Sequence, residues 1–524
     1  MKRAEILAEL PDVWDVIVIG GGMTGAGVFR EAAQAGYRTL LLEQRDFAWG
    51  TSSRSGKLVH GGLRYLSQGQ VKTTWHSVRE RERLLRRYPG LVEELIFAVP
   101  VYSALSGLML RTGLAVYDGM AGNWTHRRLD AAQLRATVPG LKSKGLRGGF
   151  AFRDAQTDDA RLVLRVIREG LRQGGTALNY MRVEEVVRDG QGRVLGVMAR
   201  DREHGEFREL RAQAVINATG VWADHLRQQL GATPRLRKLR GSHLILASSR
   251  LPLAQAVSFS HPEDQRPLYA MPWQGVTLVG TTDLDHELPL AEEPKLSRQE
   301  GIYLLEGLNA CFPYLALQAG DVMASFAGVR PVLNTGKADP SREARDHVVW
   351  PERGMITVTG GKLTTFPLLA RQALRQAAKW LGSPPGPRQG RGGTEYPQRE
   401  ADAATGGAGG NEALAVLTGR YGDAAWEILA HAAGIGWEKA PGTGTYWAEL
   451  AWSAECEQVM HLDDLLLRRT RLGLLLPQGG AQILEEIRAR VLPSLGWDEA
   501  KWRQEKADYL VLWQKAYSPQ PLSY

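Results

Sequence analysis

Gly20, Gly22 and Gly25 stand in a G-x-G-x-x-G spacing, and Glu43 follows at the distance from which an acid reaches a ribose hydroxyl. Glycines so spaced let a backbone approach a pyrophosphate, and the helix they open offers unpaired N–H groups to its charge. That is the chemistry of a dinucleotide site. It requires a strand, a tight turn and a helix in that order. The apolar run Asp15-Val-Ile-Val-Ile-Gly20 predicts the strand, and the helix is expected to run to Gly36, which suits a left-handed C-cap. Tyr37 to Leu42 predicts a second buried strand, closed by Glu43, which completes a βαβ unit. A second anion site is expected where Gly360-Gly-Lys-Leu-Thr-Thr365 opens a helix running to Leu381.

The chain of 524 residues has room for two or three domains. A formal net charge of +8 suits anionic partners: a phosphorylated substrate, an anionic lipid surface or nucleic acid. No RNA-binding motif and no dense Lys/Arg stripe interleaved with aromatics supports the last. Cys311 and Cys456 form no CxxC, so neither a disulfide framework nor a cysteine metal site is supported, and a reducing cytoplasm is the simple inference. Acids interrupt the N-terminal segment Met-Lys-Arg-Ala-Glu-Ile-Leu-Ala-Glu-Leu, which argues against a secretory signal. No run reaches the roughly 18 apolar residues of a spanning helix, so membrane contact is expected to be peripheral.

Along the chain, Thr73 to Tyr88 predicts a long exposed helix with Glu80/Arg83 and Glu82/Arg86 pairs. Leu91 to Val101 and Gly107 to Met120 are apolar, and a helix to Gly170 is expected after the acids of Arg153-Asp-Ala-Gln-Thr-Asp-Asp159. Gly175 to Tyr180, Val183 to Arg188 and Val194 to Arg200 predict short strands, followed by Ala212 to Gly220. Gly241-Ser-His-Leu-Ile-Leu246, Tyr269 to Trp273 and Val276 to Asp283 predict a second sheet, and Val348 to Thr359 a hairpin. Gly382 to Gly410 is a linker by composition, with helical patterns from Glu412 onward.

Thr51-Ser-Ser-Arg-Ser-Gly-Lys-Leu-Val-His-Gly-Gly-Leu-Arg-Tyr65 resembles the flavin-proximal segment of FAD-dependent glycerol-3-phosphate dehydrogenases, of the D-amino-acid-oxidase-like structural class. Leu462 to Gly473 is similar to that family's C-terminal helical domain, and Gly56 departs from its usual Ser or Thr. The resemblance implies an α/β fold. A Rossmann-like FAD-binding part is expected at about 12–75, 147–235 and 321–381, and an antiparallel-sheet substrate part at about 76–146 and 236–320. A linker at 382–411 and a C-terminal helical domain at 412–524 would follow. FAD would contact Gly20, Gly22, Met23, Thr24, Gly25, Glu43, Thr51, Ser52, Ser53, Leu58, His60, Gly61, Gly62, Val183, Ala218, Thr219, Gly220, Trp222, Gly361, Lys362, Leu363 and Thr364. The reaction implied is oxidation of sn-glycerol 3-phosphate to dihydroxyacetone phosphate by hydride transfer to FAD, with a quinone or oxygen as electron acceptor. Arg64, Arg330 and Arg345 would bind the phosphate dianion, assisted by Tyr65 and Thr282, because such a dianion needs more than one forked cation. Lys362 would stabilise reduced flavin, and Arg330 is a further, conceivable proton partner. The base is expected to be His243, with His60 or solvent as alternatives. Arg468, Arg469 and Arg471 are open to a headgroup-facing or an ion-pair role. Peripheral association with the inner face of the cytoplasmic membrane is expected, and a homodimer is left open.

Overall fold

The computed structural model describes residues 3–67, 69–339, 343, 347–386 and 408–519. Among these, an eight-stranded sheet is built on Val13–Ile19, which lies parallel to Thr39–Leu42 on one side and to Phe207–Asn217 on the other. Val16, Ile17 and Val18 are wholly buried, as a strand covered on both faces requires. Thr176–Leu178 extends the sheet beyond Thr39–Leu42, and the hairpin His347–Glu352/Met355–Gly360 extends it beyond Phe207–Asn217. One face carries the helices Met23–Gln34, Asp159–Arg172 and Phe366–Ala377, interlocked through Val28, Phe29, Val163, Ile167, Phe366 and Ala370. Antiparallel strands Met181–Arg188 and Val194–Asp201 cover the other through Val183, Val186 and Val197. Gly36 follows the first helix at a φ of 91°, the left-handed exit its lack of a side chain permits.

The second, nine-stranded sheet places Leu236–Ala247 between Val276–Gly280 and Val322–Leu333. Pro267–Trp273, Ala256–Ser260, Val92–Pro100, Gly149–Thr157 and Arg127–Leu129 continue it. Two strands therefore depart from the expected division of the chain: Gly149–Thr157 pairs with Val92–Pro100, and Val322–Leu333 with Leu236–Ala247. Both lie beside a stretch that returns to the first sheet or its helices, so continuity in sequence concealed the change of sheet. Val322–Leu333 carries Arg330 across to the substrate side.

The helix Val71–Arg87 is less exposed than expected. Glu80 and Arg81 are buried, and Glu82 pairs with Arg81 and Arg153 rather than with Arg86. Glu80 does pair with Arg83, and also with Arg371 at 2.9 Å. The C-terminal helices Ala424–Ile435, Trp447–Cys456, Leu484–Leu495 and Glu499–Ala516 follow the expected order. A further helix, Ala408–Tyr421, starts inside the stretch read as linker. One apolar core runs from the second sheet (Ile245, Met271, Phe326) into this helical region (Trp447, Leu465, Trp502).

Candidate functional site

A cavity of about 1710 Å³ runs from the glycine turn of the first sheet to the face of the second. That exceeds the roughly 300–1,000 Å³ of a small-ligand pocket, so it has room for a cofactor and a substrate together.

At the nucleotide end, Gly20 lies at a φ of 107°, and a side chain there would strike the Ala218 carbonyl at 2.6 Å. A Cβ on Gly25 would come within 1.8 Å of the Gly20 carbonyl, so this glycine seats the helix on the strand instead of lining the cavity. Gly20, Gly22, Met23 and Thr24 line the cavity, and the helix opens at Gly22, which has no side chain to cap it; the Met23 N–H is taken by Ser52, and the N–H groups of Thr24 and Gly25 complete the first turn. Glu43 accepts from the N–H groups of Gly21 (2.7 Å) and Arg45 (2.9 Å), one on each carboxylate oxygen, so it closes the turn while bordering the cavity. Burial pushes its pKa up, with the two N–H donors opposing. Ser52 Oγ accepts from Met23 N at 2.9 Å, and Thr51 bonds the Val329 carbonyl. Val183, Ala218, Thr219, Gly220 and Trp222 complete this end, and Trp222 lies against Trp49 with ring centroids 5.9 Å apart.

Toward the second sheet, Leu58, His60, Gly62, Arg64, Tyr65, Gly361, Lys362 and Leu363 line the cavity. Ser53, Gly61 and Thr364 do not; they brace it from behind. The Ser53 carbonyl accepts from Lys57, Gly61 N donates to Asp154, and Thr364 Oγ1 donates to the His60 carbonyl. Lys362 Nζ sits 3.6 Å from the Tyr65 ring centroid and donates to Ser77 Oγ at 3.1 Å. His60 stacks against the same Tyr65 ring, with centroids 6.0 Å apart.

Arg330 is held at the cavity wall by Asp283 Oδ1 and Thr281 Oγ1, each at 3.0 Å. Its guanidinium occupies the space a side chain on Gly241 would fill, 2.1 Å from that Cβ position. His243 is fully buried, opens on the cavity and stacks on Phe326 at 4.7 Å. Gly280, its cross-strand partner, makes room for the ring. Among the described residues neither ring nitrogen has a hydrogen-bond partner, an arrangement buried polar groups avoid unless a ligand or water meets them. Burial, then Arg330 and Lys57, push its pKa well below 6.5, so the imidazole is neutral.

One expected residue is displaced. Thr282 lies behind the cavity wall, where its hydroxyl donates to Glu300 at 2.7 Å and accepts from Ser242 N; its neighbour Thr281 faces the cavity. The helix-capping Glu300 draws the Thr282 hydroxyl inward, an interaction distant in sequence. Arg345 lies outside the described residues. Asp283, Thr281 and Tyr269 lie in segments that the family resemblance implies line the pocket, but sequence reading gave none of the three an individual role. The polar run Thr281-Thr-Asp283 was the signal for the first two, whereas the role of Tyr269 is apparent only from the fold: its hydroxyl donates to the Gly56 carbonyl at 3.1 Å. That hydroxyl lies 2.1 Å from where a Gly56 Cβ would sit, so the missing Ser or Thr is replaced in space by Tyr269.

Residues 15–375 match the family model of the FAD dependent oxidoreductases. The chain belongs to the FAD-dependent oxidoreductase family. Residues 391–502 also match the C-terminal domain of alpha-glycerophosphate oxidase. The chain is 36% identical over 379 residues to the aerobic glycerol-3-phosphate dehydrogenase of Bacillus subtilis, covering 71% of this chain and 68% of that one. It is 35% identical over 376 residues to the enzyme of that name from Staphylococcus haemolyticus, covering 70% and 67%. The structure of the glycerol-3-phosphate dehydrogenase from Bacillus halodurans complexed with FAD superposes with a TM-score of 0.77 at 28% identity, over 100% of this chain and 98% of that one. L-alpha-glycerophosphate oxidase from Mycoplasma pneumoniae shares the fold at 17% identity, with a TM-score of 0.59 over 70% and 95%.

An FAD-dependent oxidoreductase must cradle a pyrophosphate and a flavin, and the helix opening at Gly22 beside the cavity and the crowded glycines fit that demand. Neither cysteine lines the cavity. His60 and Tyr65, of types that can also tether a flavin, do line it, but nothing in their motif demands that role, and the flavin is expected to be bound without a covalent tether. Acid precipitation should leave it in the supernatant; a yellow pellet over a clear supernatant would refute this.

Proposed function

We propose that this protein oxidises sn-glycerol 3-phosphate to dihydroxyacetone phosphate and passes the electrons to a quinone. The observation that carries the proposal is a buried, neutral imidazole with both ring nitrogens unpartnered, His243, opening on the same cavity as Arg330, Arg64 and Lys362. Alcohol oxidation removes a hydride from C2 and a proton from its hydroxyl. FAD, when bound, supplies the two-electron acceptor. The unprotonated ring nitrogen of His243 takes the proton, and burial keeps that nitrogen available at neutral pH. Arg330 and Arg64 hold the phosphate, with Arg330 oriented by Asp283 and Thr281. Lys362 places a cation where negative charge grows on reduction. Arg345 and Tyr65 are assigned supporting roles in phosphate binding.

Quinone is lipid-borne, and the helix Ala104–Ala121 supports access from a membrane surface. Leu105, Leu108 and Met109 are exposed by 69%, 63% and 68%, and Leu108, Met109 and Val116 also line the cavity. Arg111 on this helix, and Lys142 beside Tyr102, add exposed positive charge. No helix among the described residues is long and apolar enough to cross a membrane. We therefore place the protein peripherally on the inner face of the cytoplasmic membrane. It should bind anionic vesicles, and raising salt should release much of it, because electrostatic attraction is screened within about 8 Å at physiological ionic strength. Binding indifferent to salt, or absent, would favour a soluble acceptor.

The deciding experiment is anaerobic mixing with glycerol 3-phosphate while flavin absorbance is followed, then addition of a quinone or of oxygen. Bleaching reversed promptly by quinone supports the proposal. Prompt reversal by oxygen alone would make the protein an oxidase, and no bleaching would remove the substrate assignment.

A further inference from the structure

The cavity is lined by no described residue beyond Leu363, yet the segment Asp46–Lys57 that shapes it is held at Asp46, Ser53 and Arg54 from the C-terminal part of the chain. Arg469 forks onto both carboxylate oxygens of Asp46, at 2.6 and 2.8 Å, and Arg468 joins at Asp46 Oδ2. Arg471 donates to the Ser53 carbonyl at 3.2 Å and to Asp158 at 2.9 Å, and pairs with Asp159. Asp159 in turn accepts from Lys57 Nζ (2.8 Å), Ser55 N (2.9 Å) and Ser55 Oγ (2.7 Å). From the last helix, the Tyr517 hydroxyl accepts from Arg54 at 3.2 Å. Between these anchors lie Thr51 and Ser52, the latter bonded to the N-terminus of the glycine-turn helix.

The three arginines are buried, which excludes a headgroup-facing role. Burial, opposed by Arg469 and then Arg468, leaves the Asp46 pKa at about 2, so the pair is charged. Buried ion pairs are a poor source of stability, because desolvation offsets much of their attraction and apolar packing would hold two domains as well. What they supply is register for a polar segment that forms no strand or long helix. The backbone supports this reading. Asp464–Arg469 is a π-helical turn, and Arg471 has a φ of 61°, left-handed for a residue with a side chain. Irregularities of both kinds concentrate at functional sites.

We propose that the C-terminal domain clamps the FAD site: Arg468, Arg469 and Arg471 are positioning residues that fix Asp46–Lys57 in the conformation receiving FAD. This rests on FAD being the cofactor. The test is the dissociation constant of FAD from flavin-stripped protein, followed by flavin fluorescence. Arg471→Lys keeps the charge and loses the fork, and is expected to weaken FAD binding at least about tenfold, the worth of one charge-assisted hydrogen bond. Tyr517→Phe should weaken it in the same direction, with unfolding of the stripped protein near wild type. Unchanged FAD affinity in Arg471→Lys, or loss only in step with global unfolding, would overturn the clamp. Hydrogen exchange on the wild type decides the matter even if that variant fails to fold. FAD should slow exchange in 464–473 together with 46–57, and no change in 464–473 would overturn the proposal. Failure of the stripped wild type to bind FAD at all would instead remove the cofactor assignment.

Discussion

Replacing His243 by asparagine is expected to slow flavin reduction by glycerol 3-phosphate about 10²- to 10⁴-fold, the range for loss of a general base, with FAD content near normal. The fit is tight: Gly280 leaves space for one ring and Phe326 stacks on it at 4.7 Å, so the shorter amide enters without displacing the strand. The pH dependence follows from the lowered pKa of His243. The neutral form is active, and burial, Arg330 and Lys57 all disfavour the proton. Wild-type flavin reduction should therefore stay level as pH falls through the ordinary histidine range near 6.5, and decline only below it. Tyr269 and the Arg330–Asp283 pair also face this ring, and burial keeps the tyrosine protonated throughout. Stopped-flow reduction at saturating substrate measures both effects. An unaltered rate in the variant would transfer the role to His60 or to solvent.

Arg330→Ala should lower kcat/KM for glycerol 3-phosphate at least about tenfold, since a hydrogen bond to a charged group contributes roughly 1.5 to 3 kcal/mol. Activity on glycerol, which has no phosphate to lose, should hardly change. Arg330→Lys is expected to rescue only in part, because the guanidinium engages Asp283 and Thr281 through separate nitrogens and a lysine cannot reproduce that fork. Equal losses on both substrates would mean that the arginine serves to neutralise Asp283. The double variant with Asp283→Asn would then recover what the single variant lost.

The nucleotide half of the site was legible because its demands are local. A strand, a turn and a helix impose the spacing of Gly20, Gly22 and Gly25, and the register Ile17↔Leu40 follows from one short connection. The substrate half is set by pairing between distant strands, and there sequence reading found side chains but not the spaces around them. Gly241 and Gly280 matter through the side chains they lack, which leaves room for a guanidinium and for an imidazole, and nothing adjacent in sequence announces either. Thr282 and Thr281 exchanged roles for a related reason: the choice between neighbours depends on Glu300, which arrives on a later helix. The arginines of Leu462–Gly473 were visible as charges, but apart from Asp463 and Asp464 beside Arg468 the aspartates they meet, Asp46, Asp158 and Asp159, lie in the first third of the chain.

That last separation has a consequence for biosynthesis. Asp46 leaves the ribosome early, while Arg468 and Arg469 follow it by 422 and 423 residues. Until then the nascent dinucleotide fold holds Asp46 without either of its arginines, a defect worth about 3–5 kcal/mol for a buried pair missing one partner. Domains that fold as units during synthesis do so from the N-terminus. This one is built so that its first module cannot be completed before its last, and nascent chains halted ahead of Arg468 should remain sensitive to protease.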